Sequence, residues 1–176
     1  MPEKWTSVSA PYVLPRADGE TDAWTAAAPG RTSQRLLEVG ERIPPEAVRE
    51  AIGATGAAVV RRRLILLDGQ PVELADSYYP RAIAAGTPLA EPGRIKGGAP
   101  TALARLGHHP ARATEDIETH GATEEEAALL DVAPGSPVMT LLRTTYSTTS
   151  DPIEVSLMTM RPPRRLRYEL EITDDR

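Results

Sequence analysis

The sequence predicts an α+β fold, a central antiparallel β-sheet flanked by helices and with its helices on one side. Three observations carry this. Asp68-Gly69 joins two strand-like segments, AAVVRRRLILL and QPVELADSYY, and an Asp-Gly pair tolerates the positive φ that a tight hairpin needs. A second hairpin pattern, SPVMTLLRTTYS and DPIEVSLMTM, turns around TTSD. Strands dominate the second half of the chain and most are joined by short turns, which favours antiparallel pairing over long crossovers.

The elements follow in order. Residues 1–32 are rich in Pro, Gly and polar residues, and ADGETDAWTAAAPGRT has no sustained period, so this stretch reads as a connector that Trp5 and Trp24 pin to the body by burial. The domain proper begins at Ser33 and runs to the end. SQRLLEVGERI reads as a strand. PPEAVREAIG reads as a short helix, with Pro45 in its first turn, Gly53 as its stop, and Val48, Ala51 and Ile52 on one apolar side. After the first hairpin, PRAIAAG is a helical turn, and GGAPTALARLG is a helix opened by glycines and closed by Gly107. ARATEDIETH reads as a strand. ATEEEAALLDV reads as a helix capped by Thr123, with Glu126 at the capping-box spacing. In LRYELEI, Leu166, Tyr168, Leu170 and Ile172 share an apolar face, which predicts a last strand.

Composition narrows the function. The 176 residues suit one domain with a real core. Twenty basic against 25 acidic residues leave a net charge of −5, which argues against a nucleic-acid-binding face. There is no cysteine, hence no disulfide and no thiolate metal site. The start lacks the apolar region of a signal peptide, and no run of 18 apolar residues occurs anywhere. The expectation is a soluble, cytoplasmic chain. His108, His109 and His120 are the only histidines and show no metal-binding spacing, so no metal or cofactor is expected. No nucleophile elbow, triad spacing or P-loop is present, so no catalytic residues are assigned.

The hairpin VVRRRLILLDGQPVELADSYYP, the helix start GGAPTALARLGHHP, the segment TEEEAALLDVAPGSPVMTLLRTTYS and the return DPIEVSLMTM with LRYEL resemble, in the same order, the effector-binding (UTRA) domain of GntR-type bacterial transcription regulators of the HutC subfamily. The N-terminal GETDAW also resembles actinobacterial members. The resemblance implies a chorismate-lyase-like fold with a ligand cleft, a homodimer, and a small-molecule effector that controls DNA binding allosterically. It implies an anionic effector, a sugar phosphate or another metabolite. It also implies a winged helix-turn-helix reader ahead of this domain. No recognition-helix pattern precedes Ser33, so DNA contact would come only through a domain this chain lacks. Two alternatives stand beside the sensor: a chorismate-lyase-like enzyme acting on a small aromatic acid, and a stand-alone ligand-binding module.

Candidate ligand residues follow from alternation and from the resemblance together. On a strand, Arg61 and Arg63 share one face and Arg62 takes the other, so the triplet is not a single clamp. The resemblance implies that Arg63, eight residues before Pro71, reaches an anion, with Arg61 as a substitute. A planar guanidinium suits carboxylate or phosphate. Their alternative role is strand-end solvation or pairing with Glu73 or Asp76. Two positions depart from the family's polar pattern: Ile65 stands where a second arginine falls, and Ala75 where some members carry an acid. Ser77 and Tyr79 share the face of Glu73 and Ala75 and either contact ligand or pack in the sheet. Gly98 opens a helix whose free N–H groups can face an anion, with Thr101 the nearest hydroxyl and Lys96 just upstream. Arg143 and Glu154 are expected roughly opposite across the second hairpin, as a cross-strand ion pair or a charged pair on the cleft floor. Tyr168 is expected in the core, with its hydroxyl within reach of the cleft.

Overall fold

The computed structural model describes residues 5–7, 9–17, 20 and 23–169, leaving aside the side chains of positions 5, 7, 24 and 27. The anchoring role expected of Trp5 and Trp24 lies outside the described side chains, and so do Leu170 and Ile172.

The elements are β1 (Trp5–Ser7), α1 (Ala10–Val13), α2 (Ala23–Ala27), β2 (Thr32–Arg42), α3 (Glu46–Ile52), β3 (Ala58–Leu67), β4 (Gln70–Tyr79), α4 (Arg81–Ala84), α5 (Gly98–Arg105), β5 (Pro110–Gly121), α6 (Glu124–Leu130), β6 (Pro137–Ser147), β7 (Pro152–Met160) and β8 (Arg164–Leu166). Six strands form one antiparallel sheet in the order β2-β3-β4-β7-β6-β5. The two hairpins supply its four central strands, and β4 meets β7 where they join.

Local chemistry explains the joints. Asp68 and Gly69 both take positive φ, 50° and 81°, the signature of a two-residue turn whose twist matches the strands. Gly53 closes α3 in the left-handed conformation (φ 67°) and returns its N–H to the last carbonyls of the helix. Thr123 and Glu126 cap α6 reciprocally.

Helices cover both faces of the sheet, not one. On the outer face α3 seats Val48 and Ile52 against Val60, Tyr78 and Val155, and α6 seats Ala127 and Leu130 against Leu64 and Leu74. On the inner face α4, α5 and the loop between them close over Val59, Tyr79 and Ile153 through Ala84, Leu89 and Leu103. The reason is visible in adjacent Tyr78 and Tyr79, 2% and 0% exposed, which point to opposite faces: a strand apolar on both sides needs two covers.

The N-terminal stretch, expected as a connector, carries β1, α1 and α2, and β1 pairs in parallel with β8 in a separate two-stranded ribbon. The last strand is shorter than its alternation predicts. It ends at Leu166 because it pairs with β1 and has no edge of the main sheet to extend along. Among the described residues no helix is long and apolar enough to cross a membrane.

Candidate functional site

Between the inner face of the sheet, the α5 start and the N-terminal segment lies a cavity of about 580 Å³, a size typical of small-molecule sites. Its floor is built from side chains two apart on neighbouring strands. Register places them in cross-strand rows. One row is Leu36, Arg63, Ala75, Met158 and Leu141; the next is Arg61, Ser77, Ser156 and Arg143. Ile65, Glu73 and Met160 form a third row beside the first.

The three consecutive arginines have three fates. Arg61 is 5% exposed and held by backbone: its Nη1 donates to the carbonyls of Leu89 (3.2 Å) and Glu91 (2.6 Å), and its Nη2 to that of Gly93 (2.6 Å). It holds the loop between α4 and α5 down on the sheet, and burial pulls its pKa below the usual guanidinium value. Arg62 points to the outer face, where its Nε donates to Asp76 (3.0 Å) and its Nη1 to Glu125 (3.0 Å). Burial raises the Asp76 carboxyl in spite of that partner. Arg63 enters the cavity with one hydrogen bond, Nη2 to Ser77 Oγ (2.9 Å), and its buried Nε–H has no acceptor.

From Arg63 a chain of hydroxyls crosses the floor. Ser77 Oγ meets Ser156 Oγ at 2.9 Å, Ser156 Oγ donates to Glu154 Oε1 (3.1 Å), and Tyr79 OH donates to the same oxygen (3.1 Å). Ser156 gives its one proton to Glu154, so Ser77 is the donor to Ser156 and the acceptor from Arg63. Burial, helped by the Glu154 charge, pushes the Tyr79 phenol strongly up, which keeps it a donor.

The expected Arg143–Glu154 pair does not form. Register sets Thr145 opposite Glu154 and Ser156 opposite Arg143, two residues from the expected pairing, of which the irregularity at Thr145/Tyr146 beside the turn contributes one. Arg143 instead donates through Nε to Glu115 on β5 (2.6 Å). Glu115 also accepts from Ser9 Oγ (2.9 Å) and from Tyr168 OH (2.6 Å). Burial alone would raise the Glu115 carboxyl; the bonds from Tyr168 and Arg143 outweigh it and hold the group below the usual carboxylate range. Tyr168, expected in the core, is 49% exposed, because the chain has left the strand before reaching it. Burial and the bond to Glu115 push its phenol up to about 12. Gly98 lines the cavity, whereas Thr101 Oγ1 donates to the Gly97 carbonyl (2.7 Å) and accepts from Arg16 N–H (3.0 Å), and Lys96 faces solvent.

Sequence reasoning missed Glu115, Ser156, Arg164 and the N-terminal wall. Arg164 pairs with Glu73 at 3.2 Å, both side chains 5% exposed, and closes one end of the cavity. Tyr12 places its ring 5.9 Å from the Arg143 guanidinium. A signal for Ser156 was present, since it shares the parity of Glu154 and Met158. None marked Glu115, one acid among several in an exposed strand. Among the described residues no group of three or more His, Cys, Asp or Glu side chains is placed to hold a metal.

Comparison with known proteins agrees with this architecture. The family model described as the UTRA domain matches residues 28–164. The HTH-type transcriptional regulator Rv0792c of Mycobacterium tuberculosis is 33% identical over 135 residues, 73% of this chain and 47% of that protein. The HTH-type regulator SCO4628 of Streptomyces coelicolor is 32% identical over 152 residues, 80% of this chain and 56% of that protein. The chain thus spans about half the length of these curated relatives. Among solved structures, PhnF from Mycobacterium smegmatis superposes with TM-score 0.77 at 19% identity, covering 97% of this chain and 73% of that one. The effector domain of PhnF gives 0.70 at 19% identity, over 81% and 88%. The chain belongs to the UTRA domain family, and the curated relatives it matches are HTH-type transcriptional regulators.

Proposed function

We propose that this UTRA-family chain is the sensing part of a HutC-type regulator. A small molecule enters the inner-face cavity, and its preference for one arrangement of the domain sets the DNA affinity of a separate winged-helix domain. The observation that carries the reading is Arg63, a guanidinium with a buried, unpartnered Nε–H inside a 580 Å³ cavity whose other floor groups are mutually bonded. Such a group is costly unless a ligand completes it. The chain binds and does not turn over: Glu73 and Glu115 are held by arginines and Glu154 by two hydroxyls. Incubation with chorismate, followed by absorbance, is expected to release no product. Homodimer formation and a cytoplasmic location belong to the same proposal, and sedimentation tests the former.

The ligand must bind the two arrangements with different affinity, because equal affinity shifts nothing. A thermal-shift screen of a metabolite library tests the cavity, with Ala75→Phe as a floor-filled control. A ligand at 100 times its Kd adds about 2.7 kcal/mol to stability. The reading predicts hits that vanish in Ala75→Phe. Hits that persist there place binding elsewhere and overturn it.

A further inference from the structure

We propose that the ligand of this cavity is an α-amino acid with an apolar side chain, not a sugar phosphate. The inference rests on the sensor reading and specifies its ligand.

The charges decide the polar end. Around the cavity Arg61 donates to the carbonyls of Leu89, Glu91 and Gly93, Arg143 is paired with Glu115 and Arg164 with Glu73, while Arg94 and Glu20 line it from exposed positions. Arg63 keeps an uncommitted Nε–H, and so does Arg16 on the N-terminal wall. Glu154 is the converse: a lining carboxylate whose described partners are the neutral hydroxyls of Tyr79 and Ser156. Besides the Arg16 donor, the cavity therefore offers an open cation, Arg63, and a carboxylate, Glu154, with no cation among its described partners. Three hydrogen-bond lengths, of 2.9, 2.9 and 3.1 Å, link them through Ser77 and Ser156. Charge-assisted contacts take up about 2.7–2.9 Å each. An α-amino acid carries its carboxylate and its ammonium on one carbon, and so presents both groups to the two ends of this relay.

The floor decides the rest of the ligand. Arg63 lies in a row with Leu36, Ala75, Met158 and Leu141, and Ile65 follows it on the same face of β3. Ala75, Leu141 and Met158 are buried in one apolar cluster with Ile65 and Met160. Sugar hydroxyls would lose their water there without gaining partners, while a branched or aromatic side chain gains by burial.

The test is calorimetric titration of the chain with L-leucine and L-phenylalanine. The comparison probes are 4-methylpentanoate, which lacks the ammonium, 3-methylbutylamine, which lacks the carboxylate, and glucosamine 6-phosphate. The expected result is binding of an amino acid at least tenfold tighter than of either single-group analogue. Arg63→Gln is expected to weaken it at least tenfold, with Arg63→Lys as a second variant should the first misfold. Glu154→Gln is expected to weaken the amino acids and leave 4-methylpentanoate unchanged, a selectivity that general damage to the site would not produce. Tighter binding of glucosamine 6-phosphate, or no binding of either amino acid, overturns the ligand class. Either outcome is separable from failure of the sensor reading, which the Ala75→Phe screen decides on its own.

Discussion

Arg61, Arg62 and Arg63 show how far alternation carries at the scale of single residues. Parity alone separates Arg62 from its neighbours, and the structure confirms the separation. What parity does not contain is that a distant loop delivers backbone carbonyls to Arg61, because those contacts join residues about 30 positions apart. Arg61→Ala leaves these buried carbonyls without their donor and is expected to cost about 3 kcal/mol, read as a lower urea midpoint at unchanged slope. Glu115 invites a second test. Its folded pKa is depressed, so the stability it contributes is fully present above the ordinary carboxylate value and is lost as pH falls through the depressed one. The stability gap between the native chain and Glu115→Gln, measured by urea melts from pH 7 downward, is expected to narrow across that acidic range. A gap that stays constant would show that the carboxylate charge is not what holds Ser9, Arg143 and Tyr168 together.

Elements with their own end signals are the ones the sequence specifies best. The Asp68-Gly69 hairpin, the Gly53 stop and the Thr123–Glu126 box each stand where local chemistry puts them. Thr123→Ala is expected to cost about 1 kcal/mol by removing the cap, and Gly69→Ala about 1 kcal/mol because φ is 81° there; thermal melts check both. The failures lie where an element depends on a partner. LRYELEI alternates well enough for a long strand, but among the described residues β8 pairs only with the three of β1, and the chain leaves the strand at 167–169. Arg143 meets Ser156 and not Glu154, a two-residue offset of which the irregularity beside the β6–β7 turn contributes one, and such an offset changes which charges meet.

For the whole molecule, both faces of the sheet are covered, and the cavity of about 580 Å³ lies under the inner cover. The outer one is packed by α3 and α6. Alternation on β3 and β4 put Arg61 with Arg63 and Ser77 with Tyr79 on shared faces, and all four line that cavity, as does Glu154. Its wall was not legible in the sequence, because Ser9, Tyr12 and Arg16 come from a stretch without period whose position depends on Glu115 and Thr101 far along the chain. The acidic balance, −5 overall, leads to a further expectation: the chain by itself does not retard duplex DNA in a gel shift at physiological salt.

The most direct test of the central claim, that ligand is sensed on the inner floor, uses the absence of cysteine from the sequence. Ala75→Cys places a single thiol on that floor, where Ala75 is 4% exposed. Its rate of alkylation is then measured with and without the metabolite that most raises the melting temperature. Occupancy of the cavity predicts a rate at least tenfold slower with ligand present. An unchanged rate at saturating ligand would contradict the account, since the molecule would then be bound somewhere other than over Ala75.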